Sequence, residues 1–186
     1  MSRIGRMPIE VPSQVSIKID GGKITIKGPK GELQRSVNPE MTVALKDGHL
    51  SVSRPSDAKQ YRALHGLTRS LLASMVEGVT NGYEKGLEVS GVGYRVEKNG
   101  DSLVLRVGFT HPVIIKPRPG ISFDVDAKNV GIKVIGINKE LVGQTAAEIR
   151  DIRPPDAYKG KGIRYVGEQI KLKPGKAGKA VGGKAK

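Results

Sequence analysis

The sequence predicts an α+β protein with two similar domains, each an antiparallel sheet with one helix packed on one face. Three observations support this prediction: strand pairs joined by glycine-containing turns, one amphipathic helix in each half, and the same order of elements about eighty residues later. Few residues are identical between the halves, so the repeat is one of structural pattern. It indicates an internal duplication, with a chance run of hairpins as the alternative.

The first half contains two hairpin patterns. Apolar and polar residues alternate over residues 15–19 and again over 23–27, with two adjacent glycines between them. Residues 41–45 and 49–52 repeat this pattern around Gly48. Alternation with a period of two places the apolar side chains on one face of a strand. Each pattern therefore predicts two antiparallel strands with one buried face.

A helix is predicted to follow these strands, with Ser56 as its N-cap. Residues at helical spacing form one face, namely Tyr61, Leu64, Thr68, Leu71, Leu72, Met75 and Val79. Gly78 and Gly82 mark the end of the helix, because glycine readily adopts the left-handed conformation that closes helices. His65 lies off the apolar face and is predicted to be a surface residue.

The second half repeats this order. Residues 94–97 and 103–107 flank Asn99-Gly100, a strong hairpin turn. Residues 121–125 and 132–134 correspond to the later strands. A helix is predicted from about Asn138, with one face formed by Leu141, Val142, Thr145, Ala146, Ile149 and Ile152. Pro154-Pro155 ends it, because proline cannot continue a helix.

Composition also favours two small domains. Hydrophobic residues make up 37% of the 186 residues and aromatic residues only 4%, which is little for one large core. We expect an N-terminal domain at residues 1–82, a C-terminal domain at 83–174 and a disordered basic tail at 175–186. The linker is predicted near residues 81–86.

Charge is the strongest functional signal. Lys and Arg number 32 against 18 Asp and Glu, which gives a net charge of +14. Such an excess attracts polyanions but does not distinguish nucleic acid, anionic membrane and acidic protein. Cysteine is absent, which excludes disulfides and thiolate metal sites. No secretory h-region or apolar run of membrane-spanning length is present, so a soluble, intracellular protein is expected.

The basic segment, residues 153–165, has the composition of an RNA-binding loop. Three cations, Lys159, Lys161 and Arg164, fall within six residues. Gly160 and Gly162 lack a Cβ, so the backbone could approach a phosphate closely. Tyr158 and Tyr165 could stack on a base or ribose. The alternative is a solvated basic loop that binds nothing.

The residues that follow extend the positive charge. From residue 153 to the end there are ten basic and two acidic residues, so this stretch carries eight of the fourteen net charges. The lysines beyond the basic segment that we expect to contribute are Lys171, Lys173, Lys176 and Lys179. Segment and tail together would form a continuous phosphate-binding surface.

Nucleotide and catalytic sites are not supported by the sequence. Residues 91–96 begin like a dinucleotide fingerprint but have Val96 in place of the third glycine and lead into a strand. Residues 178–184 have the spacing of a phosphate-binding loop, but Ala185 replaces the magnesium-binding hydroxyl. The histidines, His49, His65 and His111, are isolated and lack metal-ligand spacing.

Several blocks of the sequence resemble the family of the sixth protein of the bacterial large ribosomal subunit. The basic segment is similar to that family's hallmark, although the hallmark usually has Glu at Asp156 and Pro at Ala157. Further blocks match in the family order, namely residues 2–5 with Pro8, 28–31, 62–71 and 91–95. The resemblance covers the chain except its extreme C-terminus.

This resemblance implies two α+β domains and a structural role in translation. It implies binding to large-subunit ribosomal RNA near the sarcin–ricin loop, with neighbouring ribosomal proteins at the stalk base. No enzymatic activity, cofactor, metal, membrane or small-molecule substrate is expected. The expected RNA-binding residues are Arg153, Tyr158, Lys159, Gly160, Lys161, Gly162, Arg164, Tyr165, Lys171, Lys173, Lys176 and Lys179.

Two other classes of function remain open at this point. A general nucleic-acid-binding or DNA-compacting module would explain the charge but not the family blocks. An enzyme acting on RNA would need carboxylates, histidines or metal ligands next to the basic segment, and the sequence shows no such grouping.

Overall fold

The computed structural model describes residues 3–46, 48–127 and 130–175. Its helices are α1 (Arg3–Arg6), α2 (Lys59–Thr80) and α3 (Lys139–Ile152). Its strands are β1 (Ile9–Glu10), β2 (Ser16–Asp20), β3 (Lys23–Gly28), β4 (Gly31–Ser36), β5 (Thr42–Lys46), β6 (His49–Ser53), β7 (Tyr83–Ser90), β8 (Arg95–Asn99), β9 (Ser102–Arg106), β10 (Val113–Ile115), β11 (Ile121–Val125), β12 (Gly131–Gly136) and β13 (Gly162–Tyr165).

The chain forms two compact units. The first contains the residues up to Glu84 together with Arg118–Ser122 and Ile135–Gln144. The second contains the described residues of Lys85–Pro117, of Phe123–Val134 and of the chain from Thr145 onward. The predicted domain boundaries, 1–82 and 83–174, remain predictions.

The first unit confirms the hairpins expected there. β2 pairs with β3 and β5 with β6, both antiparallel, and the sheet orders are β2-β3-β4 and β1-β6-β5. The alternating pattern buries Ile24 and Ile26 on β3, while Lys23 and Lys27 stay exposed. The core of this unit consists of Ile9, Val15, Ile24, Ile26, Met41, Leu50, Val52, Leu72, Met75, Val76 and Val79. Burial of each large apolar side chain contributes roughly 1.5–3 kcal/mol.

The second half of the sequence repeats the pattern, so the α+β class is confirmed. β8 and β9 form the hairpin around Asn99-Gly100 in a β10-β9-β8 sheet, and the other sheet has the order β11-β12-β7-β13. Each half therefore distributes its described strands between two sheets, where the sequence suggested one. α3 begins as expected, since the Asn138 side-chain oxygen accepts a hydrogen bond from the Glu140 N–H at 3.0 Å. Its buried face includes Val142, Thr145, Ala146 and Ile149.

Some local predictions are wrong. Ser56 is not the N-cap of α2, because the helix begins at Lys59 with Ala58 at that position and no side-chain cap. Gly78 lies inside α2, and only Gly82, with φ +73°, follows its end as predicted. Most of the predicted linker is strand, because β7 starts at Tyr83.

His65 is a core residue rather than the predicted surface residue. Its side chain is 4% exposed and packs against Gly5, where a Cβ would overlap the imidazole ring. Arg54 Nη1 lies 3.0 Å from the ring Nδ1, and Val52 O lies 2.8 Å from Nε2. Because a guanidinium only donates, Nδ1 accepts and Nε2–H donates to the carbonyl. His65 therefore ties α2 to β6.

His65→Ala should lower the free energy of unfolding by roughly 2–4 kcal/mol, because a cavity forms and buried hydrogen-bonding groups lose their partner. Urea unfolding of the full chain, followed by circular dichroism, measures this. His49→Ala is the matched control, since His49 is exposed and its loss should change stability by less than about 0.5 kcal/mol. Equal effects of the two substitutions would contradict a core role for His65.

Candidate nucleic-acid interface

The basic segment is held at both ends by the second unit. It leaves the C-terminal end of α3 and finishes in β13, which pairs antiparallel with β7 from Gly162↔Ser90 to Tyr165↔Leu87. The sequence predicted a loop over the whole basic segment, and for Gly162–Tyr165, which form β13, that prediction is wrong. Ile163 is fully buried and anchors the strand in the core.

Asp156 organises the turn that carries the two lysines. Its side-chain oxygen Oδ2 accepts hydrogen bonds from the N–H groups of Lys159 at 2.9 Å and Tyr158 at 3.3 Å. The Asp156 N–H donates to the Lys161 carbonyl at 2.8 Å, and the Gly160 N–H donates to the Asp156 carbonyl at 2.9 Å. Lys159 and Lys161 are exposed on this turn. Their backbone positions are therefore fixed before any ligand arrives.

The two glycines of the basic segment have different surroundings. Gly162 is buried with φ +146°, and a Cβ there would lie 2.6 Å from Pro154 O and 2.7 Å from Pro155 Cα. The backbone at Gly162 therefore lies close to Pro154 and Pro155 of its own chain. This contact requires glycine at position 162 for a reason other than the phosphate contact that the sequence predicted. At Gly160, with φ +66°, a Cβ would meet only Leu172 at 3.5 Å. Close approach of RNA to the backbone stays a prediction for Gly160.

Arg164 is paired within the protein. Its Nε and Nη2 atoms donate to Glu88 Oε2 at 3.1 and 2.9 Å, and both side chains are about two-fifths exposed. The two residues are also register partners on β13 and β7, so this is a cross-strand charge pair. Arg164 can still face RNA, but its charge is partly compensated locally.

Tyr165 lies among charged side chains at the end of β13. Lys85 Nζ lies 4.9 Å and Arg150 Cζ 5.6 Å from the centroid of its ring. Its backbone N–H donates to Glu168 Oε2 at 2.9 Å. Tyr158, which is 59% exposed, is the more accessible of the segment's two tyrosines for stacking on a base.

Glu168 forms a bidentate ion pair with Arg150 at 2.6 and 3.2 Å, which joins the turn after β13 to α3. The hydrogen bond from Arg150, followed by that from the Tyr165 N–H, holds the pKa of the Glu168 carboxyl below its usual range. The hydrogen bond to Glu168 in turn raises the pKa of Arg150. This pair stabilises the end of the basic segment.

After β13 the chain runs back beside the turn formed by residues 156–161. The Lys173 N–H donates to the Ala157 carbonyl at 2.8 Å, and Lys171 and Lys173 are both exposed. An open groove of about 480 Å³ lies here, lined by Ser90, Lys159, Gly160, Arg164, Gln169 and Leu172 among others. Lys171 and Lys173 thus lie on the same unit as the basic segment. Lys176 and Lys179 lie outside the described residues.

Arg153 connects the basic segment to a residue that the sequence analysis missed. Arg153 is exposed, and its guanidinium carbon lies 5.5 Å from the centroid of the Phe109 ring. The sequence also offered no indication of Glu88, Arg150 and Glu168, because each forms an ion pair with a residue that is not its neighbour in sequence. A signal existed only for Phe109, one of two phenylalanines in the chain and flanked by glycine and threonine.

Metal-ligating side chains are not grouped in the described part of the chain. Among residues 3–46, 48–127 and 130–175, no three His, Asp or Glu side chains are grouped so as to hold a metal ion. His49 and His111 are exposed and His65 is structural. None of the described helices combines the length and hydrophobicity needed to cross a bilayer.

Known proteins match the chain over nearly its whole length. The family model for "Ribosomal protein L6" matches residues 11–82 and 90–166, one block in each half. Large ribosomal subunit protein uL6 of Caldicellulosiruptor bescii is 57% identical, over 99% of this chain and all of its own length. The proteins of the same name from Halalkalibacterium halodurans and Deinococcus deserti are 55% and 53% identical, over 96% and 100% of this chain and the whole of their own lengths.

Gly162→Ala should destabilise the second unit by roughly 2–4 kcal/mol, because the new Cβ would overlap backbone atoms and the backbone conformation disfavours a side chain. Gly160→Ala is the matched control, with a positive φ but open surroundings, and should cost about 1 kcal/mol. Urea unfolding measures both. Equal losses would show that the close approach at Gly162 contributes nothing.

The Glu168–Arg150 pair should make stability depend on pH. Because the folded-state pKa of Glu168 lies below the ordinary value of 4.5, the stabilisation is complete above that value and is lost as pH falls through the folded pKa. Glu168→Gln should therefore be less stable than wild type above about pH 6, with the difference shrinking in acid. Glu97→Gln, at an exposed glutamate of β8, controls for removal of a surface charge. A difference that stayed constant into strong acid would contradict the assignment.

Proposed function

The chain belongs to the ribosomal protein L6 family, and from this membership we propose that it is a structural component of the large ribosomal subunit that binds ribosomal RNA. The family resemblance noted in the sequence is confirmed by the match of both halves and by relatives more than 50% identical. Those relatives carry the name of a large-subunit protein, which supports a cytoplasmic ribosomal location.

We place the main RNA contact on the basic segment. The observation that carries this proposal is the turn fixed by Asp156, which presents Lys159 and Lys161 to solvent on a prearranged backbone. Ordering one residue costs about 1–2 kcal/mol of backbone entropy, and this turn is already ordered before RNA binds. Lys171 and Lys173, also exposed, extend the positive surface.

The finer location follows from the family resemblance. We propose that the protein lies near the sarcin–ricin loop and contacts neighbouring ribosomal proteins at the stalk base. The C-terminal tail at 175–186, with Lys176 and Lys179, is proposed to add affinity without selecting the site. A lysine ammonium acts as a compact point charge, so it attracts phosphates without reading RNA geometry.

The two competing functions are less well supported. A general DNA-binding module would explain the net charge of +14, but not the match of both halves to one ribosomal family. A function as an enzyme acting on RNA is inconsistent with membership of a family of structural ribosomal components. Preference for structured ribosomal RNA over duplex DNA at equal salt discriminates the first alternative.

Replacing Lys159 and Lys161 together by Ala should weaken binding to large-subunit ribosomal RNA and reduce its salt dependence. Each phosphate contact contributes about 0.7–0.9 to the log–log slope, so the slope should fall by roughly 1.5. Filter binding across a salt series measures both quantities.

The matched control replaces Lys18 and Lys27, two exposed lysines of β2 and β3, by Ala. It removes the same charge from the first unit and should leave the slope nearly unchanged. Equal effects of the two double substitutions would show that only net charge matters, which would contradict a defined interface on the basic segment.

A further inference from the structure

Phe109 is an unusual surface residue in this chain. The chain has two phenylalanines; Phe123 is 1% exposed in the core, whereas Phe109 is 42% exposed between β9 and β10. A single exposed apolar side chain is ordinary on a protein surface. The side chains around Phe109 distinguish it from such an ordinary exposed residue.

Two further planar groups lie beside the Phe109 ring. The His111 ring centroid is 6.4 Å away with an angle of 23° between the planes, so the two rings are roughly parallel. The guanidinium carbon of Arg153 lies 5.5 Å from the Phe109 centroid. Phe109, His111 and Arg153 are all exposed, and we call them the planar cluster.

The backbone holds the planar cluster in place. Val107, two residues before Phe109, is fully buried. Gly108, with φ +82°, allows the turn, and a Cβ there would lie 3.1 Å from the Tyr94 ring. The Arg153 carbonyl accepts a hydrogen bond from the Ile163 N–H at 2.8 Å. The planar cluster is therefore fixed to the basic segment through Arg153.

We infer that the planar cluster is a stacking site for an unpaired base of the bound RNA. Proteins that recognise unpaired RNA bases stack them on aromatic rings and on guanidinium planes, and both kinds of group are present here. An apolar peptide would have to desolvate the Arg153 cation, whereas RNA supplies a planar base together with a phosphate for that cation. The inference deepens the proposed function and rests on it.

The absence of tryptophan from the chain permits a direct test. The full-length Phe109→Trp variant has a single tryptophan, whose fluorescence should be quenched when a base stacks on it. The probes are a short oligoadenylate and an abasic oligomer with the same number of phosphates. Quenching should occur with the oligoadenylate only. Ile19→Trp, at an exposed apolar position on β2, is the matched control and should respond to neither probe.

Affinity provides the second readout. Phe109→Leu keeps an apolar side chain but removes the ring, and should weaken oligoadenylate binding about 5- to 100-fold while leaving abasic binding unchanged. Equal weakening with both probes, or no weakening, would overturn the stacking site. Equal quenching by both probes would overturn it as well.

Binding of the wild-type chain to large-subunit ribosomal RNA is measured in the same assay to separate the two proposals. If the wild-type chain does not bind large-subunit ribosomal RNA, the proposed function is overturned. Retained ribosomal RNA binding, with no preference for oligoadenylate over the abasic oligomer, would overturn only the stacking site.

Discussion

The antiparallel pairing of β13 with β7 is the constraint on which the proposed interface depends. It is made possible by Gly162, whose backbone lies against Pro154 and Pro155 at distances that exclude a Cβ. Through this pairing, the last four residues of the basic segment belong to the β11-β12-β7-β13 sheet. Because the other end is fixed at the close of α3, the intervening turn has little conformational freedom to lose when it binds. Preorganisation of this kind increases affinity by reducing the entropy cost of association.

The charges near this strand divide into two classes. Arg150 forms a bidentate pair with both carboxylate oxygens of Glu168, and Arg164 donates twice to one oxygen of Glu88. Lys159 and Lys161 are exposed on the turn. The arginine pairs therefore stabilise the frame, and the lysines supply the field that attracts a polyanion. Arg153, at the start of the segment, combines a cation with a planar surface beside Phe109.

Patterns of short range predicted much of the fold. The alternation around Ile24 and Ile26, the Asn99-Gly100 turn and the helix start near Asn138 each depend on residues close in sequence, and each is present in the structure. β13 was missed because its strand character comes from β7, more than seventy residues earlier. His65 was misassigned because its partners, Val52 and Gly5, lie on other elements. The basic residues of the candidate site were visible as composition, but their ion pairs were not.

Amide hydrogen exchange of the full chain, with and without large-subunit ribosomal RNA, tests whether the turn between α3 and β13 is ordered before RNA binds. If the turn is preorganised, exchange at Asp156, Gly160 and Ile163 is slow in the free protein, because their N–H groups donate to backbone carbonyls within the segment. Adding RNA should slow exchange further around Lys159 and Lys161. Fast exchange of these amides in the free protein, with protection appearing only on RNA binding, would contradict a preorganised interface.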